Sequence, residues 1–315
     1  MNKRDMRRLW ELVGRLTRAQ RKELIGSLAA QTAASESVEL LEATVSRHRR
    51  CPHCAGESVV RNGTADGLQR YKWRGCGKTF NALTGTPLAR LRYKGKWLDQ
   101  TEALADGLTV HRAAERLGVA PSTAFRWRHR FLAKPRGVKP DVLAGVAEVD
   151  ETYVLESFKG QKVVGRAARK RGGAAAKRGL SREQIPILGA RDRSGTTTDY
   201  VLTDSRKGAV MTVLKPLLPV DAVVCTDGGG SIGQAVKDLG LEHHPVVTSK
   251  GVHAIGAWHI QNVNSYHGRL KGWMRRFHGV ATSYLENYLG WFGALDRIPR
   301  SAALPAHLLN LAVGA

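Results

Sequence analysis

Cysteine is scarce, with four in 315 residues. That is too few for a disulfide framework and points to a reducing, cytoplasmic setting. No run of about 18 apolar residues occurs, so no membrane-spanning helix is expected. The opening stretch, MNKRDMRRLWELVGRL, lacks an apolar h-region and a small-residue cleavage site, so it does not read as a secretory signal. Acidic residues are also in short supply: 27 Asp and Glu face 50 Lys and Arg, giving a net charge of +23 and a pI near 10.4. Aromatic (6%) and apolar (42%) contents are ordinary, however, which excludes a wholly disordered polycation. At roughly 100–200 residues per domain, the length suggests two or three domains.

The basic charge is unevenly spread. Residues 1–145 hold 28 Lys and Arg against 13 Asp and Glu, a net of +15, whereas residues 146–315 hold 22 against 14, a net of +8. Within the second part, residues 156–184 carry 9 basic and 2 acidic residues, a net of +7. The charge therefore lies in an N-terminal block and one Gly/Ala-rich loop, and the natural partner of such one-signed runs is a nucleic acid.

Apolar spacing predicts helices over 5–30 and 36–48, with Leu9, Leu12, Val13 and Leu16 and then Leu40, Leu41 and Val45 recurring at helical intervals. Residues 51–85 are Gly-punctuated and Cys-bearing, 97–132 are helical again, and 133–142 carry two prolines and read as a linker. Beyond 143 the pattern runs βββαβαβα, with two strands joined at Arg193-Ser194-Gly195 and a helix capped by Ser231. A hairpin followed by crossovers predicts a mixed central sheet flanked by helices.

Cys51-Pro-His-Cys54 is half of a zinc-ribbon pattern, since two thiolates of a CxxC loop can bind one tetrahedral metal. The second half offers Cys76 but has Trp73 where its other cysteine is expected, which leaves three thiolates. His53 is a poorly placed fourth ligand, and the competing expectation is a metal-free module held by packing. Cys225 lies in a buried strand pattern and reads as a core thiol.

Residues 109–131 fit a helix-turn-helix. Gly118 supplies the left-handed stop of the first helix and Ser122 a cap for the second, with Ala113, Leu117, Val119 and Phe125 between them. Arg126, Arg128, His129 and Arg130 would then face outward, as a helix entering the major groove requires.

Two carboxylates beyond 145 stand where chemistry can use them. Asp150 follows an apolar strand, and Asp227 ends another and precedes three glycines. Paired strand-end carboxylates beside a polyanion suit Mg²⁺ (or Mn²⁺), which uses few protein ligands and takes phosphate oxygens for the rest. On the helix expected at 258–273, Asn264 and Lys271 are two turns apart on one face, and Val263, Leu270, Trp273 and Phe277 make the apolar face. Asn264 can offer a carbonyl oxygen to a metal and Lys271 a cation to a phosphate; on spacing alone, solvated surface residues fit as well.

These pieces, CPHC…GCGKTFNALTGTPLARL, the helix-turn-helix, VDETYVLESFKG, KRGGAAAKRGLS, TDGGGS and HIQNVNSYHGRLKGWMRRFHGVATSYLENYLGW, resemble in order the ISXO-like insertion-sequence transposases, a DDE-type family, from about residue 50 to 292. The resemblance implies an α+β multidomain chain: N-terminal helices (1–48), a zinc-ribbon-like module (49–88), a helix-turn-helix DNA-binding domain (95–134), a ribonuclease-H-like catalytic domain (143–295) with the basic insert 156–184, and a C-terminal tail (296–315). It also implies that Asp150, Asp227 and Asn264 hold two Mg²⁺ ions and that Lys271 completes an Asp-Asp-Asn-Lys signature, with Asn where many relatives carry Glu. Glu286 is a weaker candidate for the third ligand.

The function so implied is binding of the element's terminal inverted repeats followed by strand cleavage and transfer into target DNA, by a dimer or larger assembly associated with the bacterial nucleoid. Arg169, Lys170, Arg171, Lys177 and Arg178 of the insert would grip phosphates beside the active site. A catalytically decayed copy acting as a repressor, or a ribonuclease-H-type nuclease, are the alternatives.

Overall fold

Residues 2–47, 50–161, 173–177, 181–247 and 251–314 are described by a computed structural model. The chain divides into two units, Met1–Phe131 with Ser301–Ala315, and Leu132–Arg300.

The first unit begins with α1 (Lys3–Gly14) and α2 (Arg18–Arg47). The break between them falls earlier than the apolar spacing predicts, and α2 runs unbroken through the expected gap at 31–35. A reciprocal capping box explains the break. The backbone N–H of Thr17 donates to Gln20 Oε1 (2.9 Å), and that of Gln20 donates to Thr17 Oγ1 (3.3 Å). Residues 31–35 (QTAAS) contain neither Gly nor Pro, so nothing stops the helix there.

A three-stranded antiparallel sheet follows, β1 (Val59–Ala65), β2 (Leu68–Trp73) and β3 (Thr79–Phe80), in the order β1-β2-β3. Cys51, Tyr71 and Phe80 form its small core. Glu42 of α2 ties the sheet down by accepting from the Gln69 N–H (2.9 Å) and the Tyr71 hydroxyl (3.1 Å).

Three helices then pack together: α3 (Trp97–Ala105), α4 (Val110–Leu117) and α5 (Pro121–Phe131). Ala103, Ala113 and Leu117 form their common core, with Leu108 and Val119 packed against it. Gly118 adopts φ 57°, ψ 47°, the left-handed stop read from the sequence.

In the second unit, β4 (Val146–Leu155), β5 (Gln184–Asp192) and β6 (Thr197–Val201) form an antiparallel meander. It is followed by α6 (Lys207–Leu217), β7 (Val223–Thr226), α7 (Gly230–Asp238), β8 (Glu242–Pro245), α8 (Gln261–Arg275) and α9 (Leu285–Arg297). The sheet order is β6-β5-β4-β7-β8, with β7 parallel to both β4 and β8. This is the mixed sheet and the βββαβαβα succession that alternation predicts.

Alternating side chains of β4 serve opposite faces. Ala147 and Val149 join Val224, Leu188 and Ala190 in the core made with α6 and α7. On the other face Val146 packs with Cys225, Ile260 and Val263, the last from α8. Cys225 is thus the core thiol expected.

The last helix, α10 (Leu304–Val313), corrects the expected tail. Leu308, Leu309 and Ala312 are buried, and the helix packs on α3 in the first unit. Ser231 is also not a cap: it lies inside α7, whose N-cap is Gly229.

Candidate active site

Asp150 stands in the middle of β4, directly across from Gly189 of β5. The parallel pairing of β4 with β7 sets Glu148 beside Cys225. β7 ends at Thr226, one residue before Asp227, and the charges of Asp150 and Asp227 both act on the carboxyl of Glu151.

Asp227 is fixed by the turn that follows it. Its Oδ1 accepts from the Gly229 N–H at 2.7 Å. Gly228 takes φ 83°, which penalises any side chain, and a Cβ on Gly229 would sit 2.8 Å from Asp227 Oδ1. Two of the three glycines are therefore required by the carboxylate's own turn.

The opposing helix is anchored from the same strand. Glu148, fully buried, accepts from the backbone N–H groups of Asn262 (2.8 Å) and Val263 (3.0 Å) in the first turn of α8, and from the Asn262 side chain at 2.7 Å. Arg193 neutralises it at 2.5 Å. A carboxylate at a helix N-terminus satisfies orphan donors and complements the helix dipole. Because Glu148 and Asp150 are two apart on one strand face, this cap fixes α8 against the site.

Along α8, Asn264 and Lys271 are exposed, and between them on the same face lies buried His267, with Nδ1 3.5 Å from Asp150 Oδ2. Val263, Leu270, Trp273 and Phe277 are buried, as the apolar face predicts. Trp273 and Phe277 meet Tyr288 and Trp291 of α9 in a cluster of edge-on and tilted rings. Glu286 lies in the first turn of α9, exposed, 3.9 Å from Arg136.

Asp150 and Asp227 form no ion pair with Lys or Arg among the described residues, whereas the buried Glu148 and Asp199 each have one, to Arg193 and to Lys139. Half-buried carboxylates without a Lys or Arg partner have the donor chemistry of a divalent-cation site. Three neighbours carry no signal that the sequence alone reveals. Glu148 lies outside the quoted motifs, and His267 lies inside HIQNVNSYHGRLKGW without any spacing that singles it out. Glu151 adjoins Asp150; its carboxyl is pushed up by burial, with the charges of Asp150 and Asp227 adding to the rise and a hydrogen bond from Tyr153 opposing it.

In the first unit, Cys51, Cys54 and Cys76 bring their sulfurs within 4.8 Å of one another, and His53 is not in the group. The Cys76 thiol is held below its usual range, first by the hydrogen bond from the Lys78 backbone. Trp73 fills the place of the missing cysteine: a Cβ on Gly56 would come within 2.5 Å of its indole, and one on Gly75 within 2.6 Å.

The helix-turn-helix departs from expectation in its arginines. Arg126 is exposed. Arg128 is buried, donating to the Leu108 carbonyl at 2.6 Å. Arg130 is half-buried and donates to the carbonyls of Pro87 and Ala89. Both guanidiniums satisfy backbone acceptors of the preceding chain, so neither faces outward. Phe125 is 39% exposed and stacks edge-on with His129, so it does not join the helix–helix contact. Ser122 lies inside α5 rather than at its cap. In the basic insert, Lys177 is exposed, and Arg169, Lys170, Arg171 and Arg178 lie outside the described residues.

Residues 142–293 match the ISXO2-like transposase domain, and residues 90–137 match a homeodomain-like domain. The chain is 28% identical over 250 residues to a protein in the transposable element ISH50 of Halobacterium salinarum, covering 77% of this chain and 83% of that one. Among solved structures it is similar to the Mos1 transposase paired-end complex with left transposon end, at 14% identity and a TM-score of 0.29, covering 68% of this chain and 75% of that one. That score is too low to bear on the fold.

Proposed function

We propose that this chain, similar over residues 142–293 to the ISXO2-like transposase domain and over 90–137 to a homeodomain-like domain, is a DDE-type enzyme that binds the terminal inverted repeats of an insertion sequence and catalyses strand cleavage and strand transfer. The observation that carries this reading is the pair Asp150 and Asp227, both acting on the carboxyl of Glu151 and neither ion-paired with Lys or Arg among the described residues. The strand order β6-β5-β4-β7-β8 supports a ribonuclease-H-like arrangement for the catalytic unit.

Asp150, Asp227 and the side-chain carbonyl of Asn264 would hold two Mg²⁺ or Mn²⁺ ions. Bound there, such ions supply Lewis-acid charge to the attacking and leaving oxygens of an in-line phosphoryl displacement. The residues do the rest. The Asp227 turn holds one carboxylate rigid, Glu148 fixes the helix that carries Asn264, and Lys271, exposed on the same face, pairs with a DNA phosphate. With Asn in place of an acid the site is one negative charge poorer, so substrate phosphate contributes more of the charge that retains the second ion.

Cys51, Cys54 and Cys76 would bind zinc with three protein ligands. Arg126 and the insert residues Arg169, Lys170, Arg171, Lys177 and Arg178 would contact DNA, and pairing two ends calls for a dimer or larger.

Asp150→Ala and Asp227→Ala are expected to abolish cleavage of end-containing DNA in Mg²⁺ while leaving its binding nearly intact in gel-shift titrations. Equal loss of binding in both variants would overturn the assignment.

A further inference from the structure

We propose that His267 is a positioning residue for Asp150, holding the carboxylate in the orientation that receives the metal; the inference rests on the metal-site reading above. His267 is 5% exposed, and its Nδ1 faces Asp150 Oδ2 at 3.5 Å. The other nitrogen, Nε2, is buried without a hydrogen-bond partner and points at the sheet. It lies over Gly189, the residue paired with Asp150 across the β4–β5 ladder, and a Cβ there would overlap Nε2.

These observations interlock. An imidazole wedged over a glycine in the neighbouring strand has little freedom to turn. With Nε2 closed off, the ring's remaining polar atom is directed at the carboxylate. With a proton on Nδ1 the ring would present a donor toward Asp150 Oδ2, 3.5 Å away, and only a lone pair toward the glycine. Oδ2 thereby faces a ring nitrogen held in place, which limits how the carboxylate turns before any cation arrives. Hydrogen-bond donors behind ligating carboxylates act in this way elsewhere, and their loss costs about 10–100-fold in metal affinity. Glu148 fixes where α8 starts; His267 makes that placement felt at the ligand.

The test is Mn²⁺ affinity of the full-length protein, followed by paramagnetic resonance in the absence of DNA, so that no turnover is read. His267→Leu is expected to weaken Mn²⁺ binding about 10-fold or more. His267→Asn, whose Nδ2 stands near the place of Nδ1, is expected to recover most of it. Gly189→Ala keeps every polar group but displaces the ring, and is expected to weaken binding as His267→Leu does. Asp150→Ala separates the two claims, because it must lose the site outright if the metal reading is right. Unchanged affinity in His267→Leu or in Gly189→Ala, or an Asn variant as weak as the Leu variant, overturns the positioning role. Unchanged affinity in Asp150→Ala overturns the metal site itself.

Discussion

Three neighbouring residues of α5 show how far side-chain chemistry depends on tertiary acceptors. Arg126 reaches solvent, whereas Arg128 is consumed by the Leu108 carbonyl. Arg126→Ala is expected to leave folding stability within about 0.5 kcal/mol of wild type and to lower the salt slope of DNA binding by about 1. Arg128→Ala is expected to destabilise the first unit by about 2 kcal/mol, seen as a lower melting temperature before any DNA is added. His129, next to Arg128, is pushed down to about 4, first by burial and then by the charge of Arg128. The unfolded chain protonates near 6.5, so between pH 6.5 and 4 it takes up a proton that the folded form refuses. Stability is complete above that window and falls as pH drops through it. From pH 7 to 5 the loss at this half-buried ring is about 1 kcal/mol after solvent screening, and His129→Gln should remove it from thermal melts at the two pH values. The sequence displays four basic positions in a row of five, but which of them face outward is decided by carbonyls 20 to 43 residues away, where no local pattern reaches.

At the scale of elements, the second unit is largely legible in the sequence. Strand alternation and apolar helix faces are local properties, so the order from β4 to α8 can be read directly; Asp150 reads as a strand-end residue but stands mid-strand, because β4 continues to Leu155 against β5. Ends are less so: Ser122 and Ser231 look like caps, yet α5 already starts at Pro121 and α7 at Gly230, capped by Gly229. The α10 helix reads as a tail because its apolar face has meaning only against α3. In the three-stranded module, the substitution of Trp for Cys at 73 is visible in sequence, but its accommodation by Gly56 and Gly75 is not. Trp73→Cys is expected to add a fourth thiolate and raise zinc retention at least 10-fold against a competing chelator; equal zinc loss from both proteins would mean the three-sulfur cluster is held by packing alone.

For the whole molecule, the net charge of +23 resolves into parts with different tasks. Replacing Arg169, Lys170, Arg171, Lys177 and Arg178 with Gln should flatten the dependence of log affinity on log salt, by about 0.9 for each phosphate no longer neutralised. An unchanged slope would mean the insert is only solvated. The second unit, by contrast, carries carboxylates at the centre of its sheet, and one of them is fully buried. Glu148 sits beneath α8, and Glu148→Ala is expected to cost about 3 kcal/mol and to let the helix shift away from β4, silencing cleavage while Asp150, Asp227, Asn264 and Lys271 stay unchanged. On the transposase reading proposed above, a copy altered at Glu148 keeps all four signature residues and still fails to cut. A genomic census of live elements that scores only the four signature positions would count such copies among the living.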